Sequence, residues 1–189
     1  MLLADDTEAA KPYVKDIAEI LKNQTVDPSV RSSAAYALGN LGEAAKPYVK
    51  DIAEILKNQT VDPFVRSSAA QALGNLGEAA KPYVKDIAEI LKNQTVDPSV
   101  RSSAAQALGN LREAAKPYVK DIFDFLKDKT VDSGARFGAT EALVNLGEAA
   151  KPFSRCLLFA SKLTAFRCCQ RTERKISSIR RRYQRPYCE

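Results

Sequence analysis

Apolar residues return along this chain in two alternating patterns. Val49, Ile52, Ile55 and Leu56 recur at spacings of three, three and one, with Lys50, Asp51, Glu54 and Lys57 between and after them. That rhythm predicts one buried stripe on a 3.6-residue helix, its charged face in water. In the next segment Val65, Ala69, Ala72, Leu73 and Leu76 form a second stripe, with Ser67, Ser68, Gln71 and Asn75 on or near the opposite face. Asp62-Pro63 opens this second helix: the carboxylate accepts from free first-turn amides, and proline there loses no bond. Gly77 ends it, since a glycine just past the last apolar residue takes the left-handed turn that satisfies free carbonyls. The first helix of the pair is predicted to start at Pro47, as at Pro12, Pro82 and Pro117. Glu54 and Lys57 are expected to pair, and Asn58 to take the left-handed conformation that ends this helix.

The Asp62–Gly77 stretch also stands at Asp27–Gly42 and Asp97–Arg112, and in altered form at Asp132–Gly147, each copy 35 positions beyond the last. A fixed period in this range, made of helical sequence, marks a solenoid whose units bury their apolar faces against one another. At about 17 and 22 Å, such helices are too short to persist alone in water. The expected fold is therefore all-α, an α-solenoid of helix pairs with units at 9–43, 44–78, 79–113 and 114–148. Residues 1–8 align with the last third of a second helix, a partial repeat, so the chain reads as a short member or a fragment of a longer array. Beyond residue 152 the pattern fails: Ser154, Leu157, Ala160 and Ser161 stand at the stripe positions, with a capping helix expected to about Phe166 and disorder after it.

Asp-Pro-x-Val-Arg-x-x-Ala-Ala-x-Ala-Leu-Gly-x-Leu-Gly after a proline-started helix resembles the HEAT-like repeat over residues 9–152, most closely the short bacterial variety of the phycobilin lyases. The resemblance implies a right-handed superhelix of the ARM/HEAT type. The first helix of each pair would lie outside, and the second would line a concave surface that holds another protein. One enzymatic branch, the deoxyhypusine hydroxylases, holds two irons with His-Glu pairs. With no histidine in the chain, that branch is excluded.

The first three units are almost copies, so their few differences carry the information. Tyr36, Gln71, Gln106 and Glu141 are equivalent, as are Ser29, Phe64, Ser99 and Gly134. Both positions lie off the buried stripe and are expected to face the groove. Tyr36 and Phe64 are candidate aromatic anchors there, or else fill gaps between units. Ser29, Ser32, Tyr36, Phe64, Ser67, Gln71, Ser99, Ser102, Gln106 and Glu141 form the candidate partner-binding set. Arg31, Arg66, Arg101 and Arg136 read either as a ladder for acidic ligands or, preferentially, as ion pairs to Asp27, Asp62, Asp97 and Asp132 of adjacent units. Gly39, Gly74 and Gly109 interrupt a helix at about 1 kcal/mol relative to alanine, a sign of close approach between helices.

Charge divides the chain. Residues 1–152 hold 19 Lys and Arg against 21 Asp and Glu, net −2; residues 153–189 hold 10 against 2, net +8. The array thus lacks the repeated basic stripe that wrapping nucleic acid requires. Arg174, Lys175, Arg180, Arg181, Arg182 and Arg185 make the tail a candidate for nucleic acid, an anionic membrane surface or an acidic partner. The abrupt change in composition reads alternatively as a shifted reading frame or a recombined end. Cys156, Cys168, Cys169 and Cys188 have neither paired C-x-x-C spacing nor histidine, which argues against zinc and for free thiols. Asn23-Gln24-Thr25 and its copies match the glycosylation acceptor pattern but read as polar turns, because no signal segment or 18-residue apolar run appears. The expected chain is a cytoplasmic monomer that needs no metal or cofactor and carries no catalytic set. Its expected role is that of a non-enzymatic scaffold binding another protein through the concave surface. The resemblance offers an alternative, a lyase-like subunit acting on a tetrapyrrole-carrying antenna protein of the phycobilisome.

Overall fold

A computed structural model of the chain describes residues 9–128, 131 and 133–153. Expectations for the partial repeat at 1–8, for Asp132, for the capping helix and for the basic cysteine-bearing tail lie outside these residues. Among these residues, eight α-helices follow one another in pairs: α1 (Val14–Lys22) and α2 (Pro28–Asn40), α3 (Val49–Lys57) and α4 (Pro63–Asn75), α5 (Val84–Lys92) and α6 (Pro98–Asn110), α7 (Val119–Lys127) and α8 (Ser133–Asn145). Each pair packs on the next, giving the α-solenoid that the 35-residue period implies.

Local chemistry sets the helix ends. Asp27, Asp62 and Asp97 each accept the amide two residues on at 2.8 Å, which satisfies one orphan donor of the first turn. At the other end Gly42, Gly77 and Gly147 adopt φ of +54°, the left-handed turn. Arg112 is forced into the same conformation at φ +46° without glycine's freedom.

The first helices begin later than their prolines suggest. Gly42–Tyr48, with Pro47 inside it, is a 3-10 turn, and α3 starts only at Val49 with Tyr48 as its cap. The 3-10 turn continues from the left-handed glycine, where the Ala44 amide bonds to the Leu41 carbonyl at 3.2 Å. The Asn58 backbone is extended, φ −73° and ψ 108°, not left-handed. Its side chain closes the turn instead, accepting from the Thr60 amide at 3.0 Å and the Thr60 hydroxyl at 2.8 Å.

The two layers differ in packing. Second helices lie against one another along their length, whereas first helices meet their neighbours at only a few points. In α4, Val65, Ala69, Ala70, Ala72, Leu73 and Gly74 are all buried, because a unit on either side and α3 beneath cover it. Alanine dominates such a helix since it must be apolar on several faces and thin enough for close neighbours. A Cβ built on Gly39 or Gly74 would stand 2.8 Å from the Cα of Ala72 or Ala107 in the next unit. The helix-interrupting glycines are thus where second helices come closest. Val144 occupies the same register in α8 and is half-buried.

In the first-helix layer the stripe is Val49, Ile52, Ala53 and Leu56, all buried, with Ile55 half-buried at its edge. The expected Glu54–Lys57 pair is not what forms. Lys57 reaches Asp86 of the next unit at 3.2 Å, as Lys22 reaches Asp51 at 3.2 Å and Lys92 reaches Asp121 at 3.4 Å, while Glu54 sits 3.9 Å from Lys50. A lysine in the last turn points past its own helix toward the adjoining first turn. These half-exposed pairs contribute about 0–1 kcal/mol each and chiefly fix the stacking register.

Candidate protein-binding face

Among the described residues, Arg31, Arg66 and Arg101 form no ion pair with the capping aspartates of the expected ladder. Arg31, Arg66 and Arg101 are buried, and each donates its Nε–H at 3.0 Å to the carbonyl of Leu21, Leu56 or Leu91, near the end of the first helix of the same unit. That carbonyl has no partner within its own helix, and a cation there also meets the negative end of the helix dipole. The guanidinium therefore staples the two helices of a unit and offers no row of charges to a ligand. Burial pushes Arg66 below its ordinary pKa, with Asp97 opposing at longer range. The Nη2 atoms of Arg31 and Arg66 are buried without a hydrogen-bond partner. Arg101 differs: its Nη2 lies 3.4 Å from the Asp128 carboxylate, and its guanidinium sits 4.8 Å from the centre of the Phe125 ring. Asp128 stands in the register of Asn58 and Asn93, and Phe125 in that of Ile55 and Ile90.

What faces outward on the second helices is mostly small and polar; among the described residues the large apolar exceptions are Val30, Tyr36, Phe64 and Phe137. Tyr36 is 56% exposed and Phe64 59%. Ser29, Gln71, Ser99 and Glu141 are also exposed, while Ser67, Ser102 and Gln106 are half-buried. Ser32 departs from this set. It is only 6% exposed, and its hydroxyl lies 2.6 Å from that of Ser68, because the second unit covers it. Phe137 was not among the expected residues, yet it stands in the register of Ser32, Ser67 and Ser102 and is 41% exposed. The shared register was the signal that would have found it. Asn40, Asn75, Asn110 and Asn145 are likewise exposed, one turn beyond the Tyr36 register.

Contacts across the later seams give a register from which the places of the aromatics follow. The Ser67 hydroxyl meets that of Ser99 at 3.3 Å, and a Cβ on Gly138 would meet Nε2 of Gln106 at 2.6 Å. Both pairs are 32 residues apart. The same register at the first seam sets Ser32 beside Phe64 and Tyr36 beside Ser68. Phe64 and Tyr36 thus stand on either side of the Ser32–Ser68 hydrogen bond, at the long diagonal of the α2–α4 seam. One helical turn along and one helix spacing across separate the two positions by on the order of 10 Å.

The exposed charges within the described second helices and at their N-caps are acidic. Among the described residues, the exposed charged side chains of the second helices and their caps are Asp27, Asp62, Asp97 and Glu141, whereas exposed lysines such as Lys15, Lys50, Lys85 and Lys120 belong to the first helices. The Ser29 hydroxyl and amide hold the Asp27 carboxyl below its ordinary pKa, as those of Ser99 do for Asp97.

Residues 14–96, from α1 through the turn after α5, match the family model for HEAT repeats. The chain is a HEAT-like repeat protein. No curated protein matches it. HEAT repeats generally serve as scaffolds for protein interaction and are typically non-enzymatic. Within this HEAT-like array, the described residues include no cluster of three or more His, Cys, Asp or Glu side chains able to hold a metal ion. No described helix is long and apolar enough to cross a membrane.

Proposed function

We propose that this HEAT-like array is a scaffold that holds another protein on the exposed face of its second helices, with Tyr36 and Phe64 as the anchors. The observation that supports this most is the pairing of the two aromatic departures. Units 9–43, 44–78 and 79–113 are nearly identical, and the two positions that become aromatic fall on one seam with both rings exposed. A ring that merely filled a gap between units would be buried. Large, stiff side chains in contact with a partner carry a disproportionate share of interface energy. Closer packing on the second-helix side supports reading that side as the inside of the array's curve, where one partner would contact several units.

The test is capture of partners from the native host by the tagged full chain, comparing wild type with the Tyr36→Gln/Phe64→Ser variant. These substitutions install residues already present in the third unit, at Gln106 and Ser99, so the array keeps its packing. Partners bound through the seam drop out of the variant's set and remain with a Lys50→Ala/Lys85→Ala variant of the outer helices. An identical set for all three proteins would refute the assignment.

A further inference from the structure

Resting on that reading, we infer the chemistry of the partner: the α2–α4 seam takes an extended, cationic segment of another protein, an arginine- or lysine-bearing stretch that lays its side chains across the Tyr36 and Phe64 rings. Sign of charge is the first argument. The exposed charges within the described second helices and at their N-caps are Asp27, Asp62, Asp97 and Glu141; Arg31, Arg66 and Arg101 are drawn inside to cap the first helices, Arg136 is half-buried on the Asp128 carbonyl, and the exposed Arg112 lies just past α6, away from the α2–α4 seam. An acidic partner would meet like charge at the α2–α4 seam, and a basic one would be steered to it.

The aromatic rings supply the second argument. Asp62 accepts the amide of Phe64 itself, so a carboxylate stands within two residues of that ring. A guanidinium or ammonium over an aromatic face with a carboxylate alongside has both an electrostatic and a stacking partner. The same preference operates inside this protein, where Arg101 lies between the Phe125 ring and the Asp128 carboxylate. Between the rings the floor is Ser32 and Ser68, whose hydroxyls engage one another, leaving a shallow polar surface rather than a deep apolar pocket. That shape favours an extended strand over a bulky apolar plug.

The experiment is fluorescence anisotropy of the full chain with three labelled 12-residue peptides built on Arg-Ala-Pro, Glu-Ala-Pro and Ser-Ala-Pro repeats. The basic peptide should bind at least about tenfold more tightly than the other two and weaken as salt rises, since exposed charges are screened over about 10 Å at 0.1 M. Tyr36→Gln/Phe64→Ser should weaken it about tenfold, and Asp27→Asn/Asp62→Asn severalfold, with helical circular dichroism unchanged. Asparagine caps helices about as well as aspartate, so the second pair tests charge without removing a cap. Basic-peptide binding equal in wild type and Tyr36→Gln/Phe64→Ser would overturn both the cationic assignment and the seam as anchor. Tighter binding of the acidic or neutral peptide, lost in that same variant, would overturn only the cationic assignment. So would failure of all three peptides to bind, with the host capture comparison still deciding the seam.

Discussion

Gly74→Ala sets two physical effects against each other. Taken alone, helix propensity favours alanine over glycine in a helix interior by about 0.8–1.0 kcal/mol. In the structure, however, the added Cβ would stand 2.8 Å from the Cα of Ala107, 3.2 Å from its Cβ and 3.3 Å from Nδ2 of Asn110. Ordinary carbon–carbon contact is about 3.5–4.0 Å. The closest atom is backbone of the next unit, so no rotamer change relieves the clash and α4 and α6 must part. Overpacking of this kind costs about 1–3 kcal/mol, and parting the helices also loosens contacts at Leu73 and Leu108, both fully buried. The expected net loss is about 1–2 kcal/mol, or a fall in thermal midpoint of roughly 2–8 °C by circular dichroism. Val144→Ala, at the same register in α8, is the control and should move the midpoint by less than about 2 °C. A rise for Gly74→Ala, as propensity alone requires, would show that the second helices are not held at this distance.

Arg112→Gly restores the residue the other units use at a left-handed position and should stabilise the chain by about 0.5–1 kcal/mol; an unchanged midpoint would count against strain at φ +46°. Asn93→Asp places a carboxylate in the register that Asp128 fills for Arg101, opposite the unpartnered Nη2 of Arg66, and should stabilise by about 1–2 kcal/mol in urea unfolding. Asp128→Asn should destabilise by a similar amount, and loss of either effect in an arginine-to-methionine background would identify the guanidinium as the partner. The Asp97 carboxyl is held below its ordinary pKa, so its contribution is fully present above about pH 4 and is lost as pH falls through the lower folded value. Ser99→Ala should therefore raise the pH of half-unfolding in acid, and an unshifted acid transition would contradict the role given to that hydroxyl.

Sequence made the fold legible wherever a residue acts on its own helix. Asp62 capping the amide of Phe64, Gly77 at positive φ and the stripe from Val65 to Leu76 follow from spacing and backbone chemistry alone. The glycine at position 74 was legible as a close approach because nothing else explains glycine inside a helix. Sequence misleads where a side chain crosses to another element. A capping aspartate is the visible match for Arg66 because opposite charges show in a sequence, whereas its actual acceptor, the Leu56 carbonyl, is a backbone atom that every residue carries. Spacing pairs Lys57 within its helix, although its length lets it reach Asp86. Helical periodicity places Ser32 off the stripe and toward the groove, but the 32- and 36-residue pairings across a seam are not contained in a 35-residue period. The exposure of Tyr36 and Phe64 followed from their register; that they stand on one seam came only from the contacts of Ser67 with Ser99 and Gln106 with Gly138.

Everything rests on units that are held by their neighbours and not by a shared core, and excising one unit tests this directly. Deleting residues 79–113 joins the second unit to the fourth and rebuilds an interface whose residues on the second unit's side differ from the third's only at Phe64 and Gly77. The account predicts a chain that still unfolds cooperatively, with helical signal per array residue near that of the parent and a lower thermal midpoint, because one interface is gone. Collapse of the helical signal at all temperatures would contradict it, since only a single interdependent core fails when one internal segment is removed.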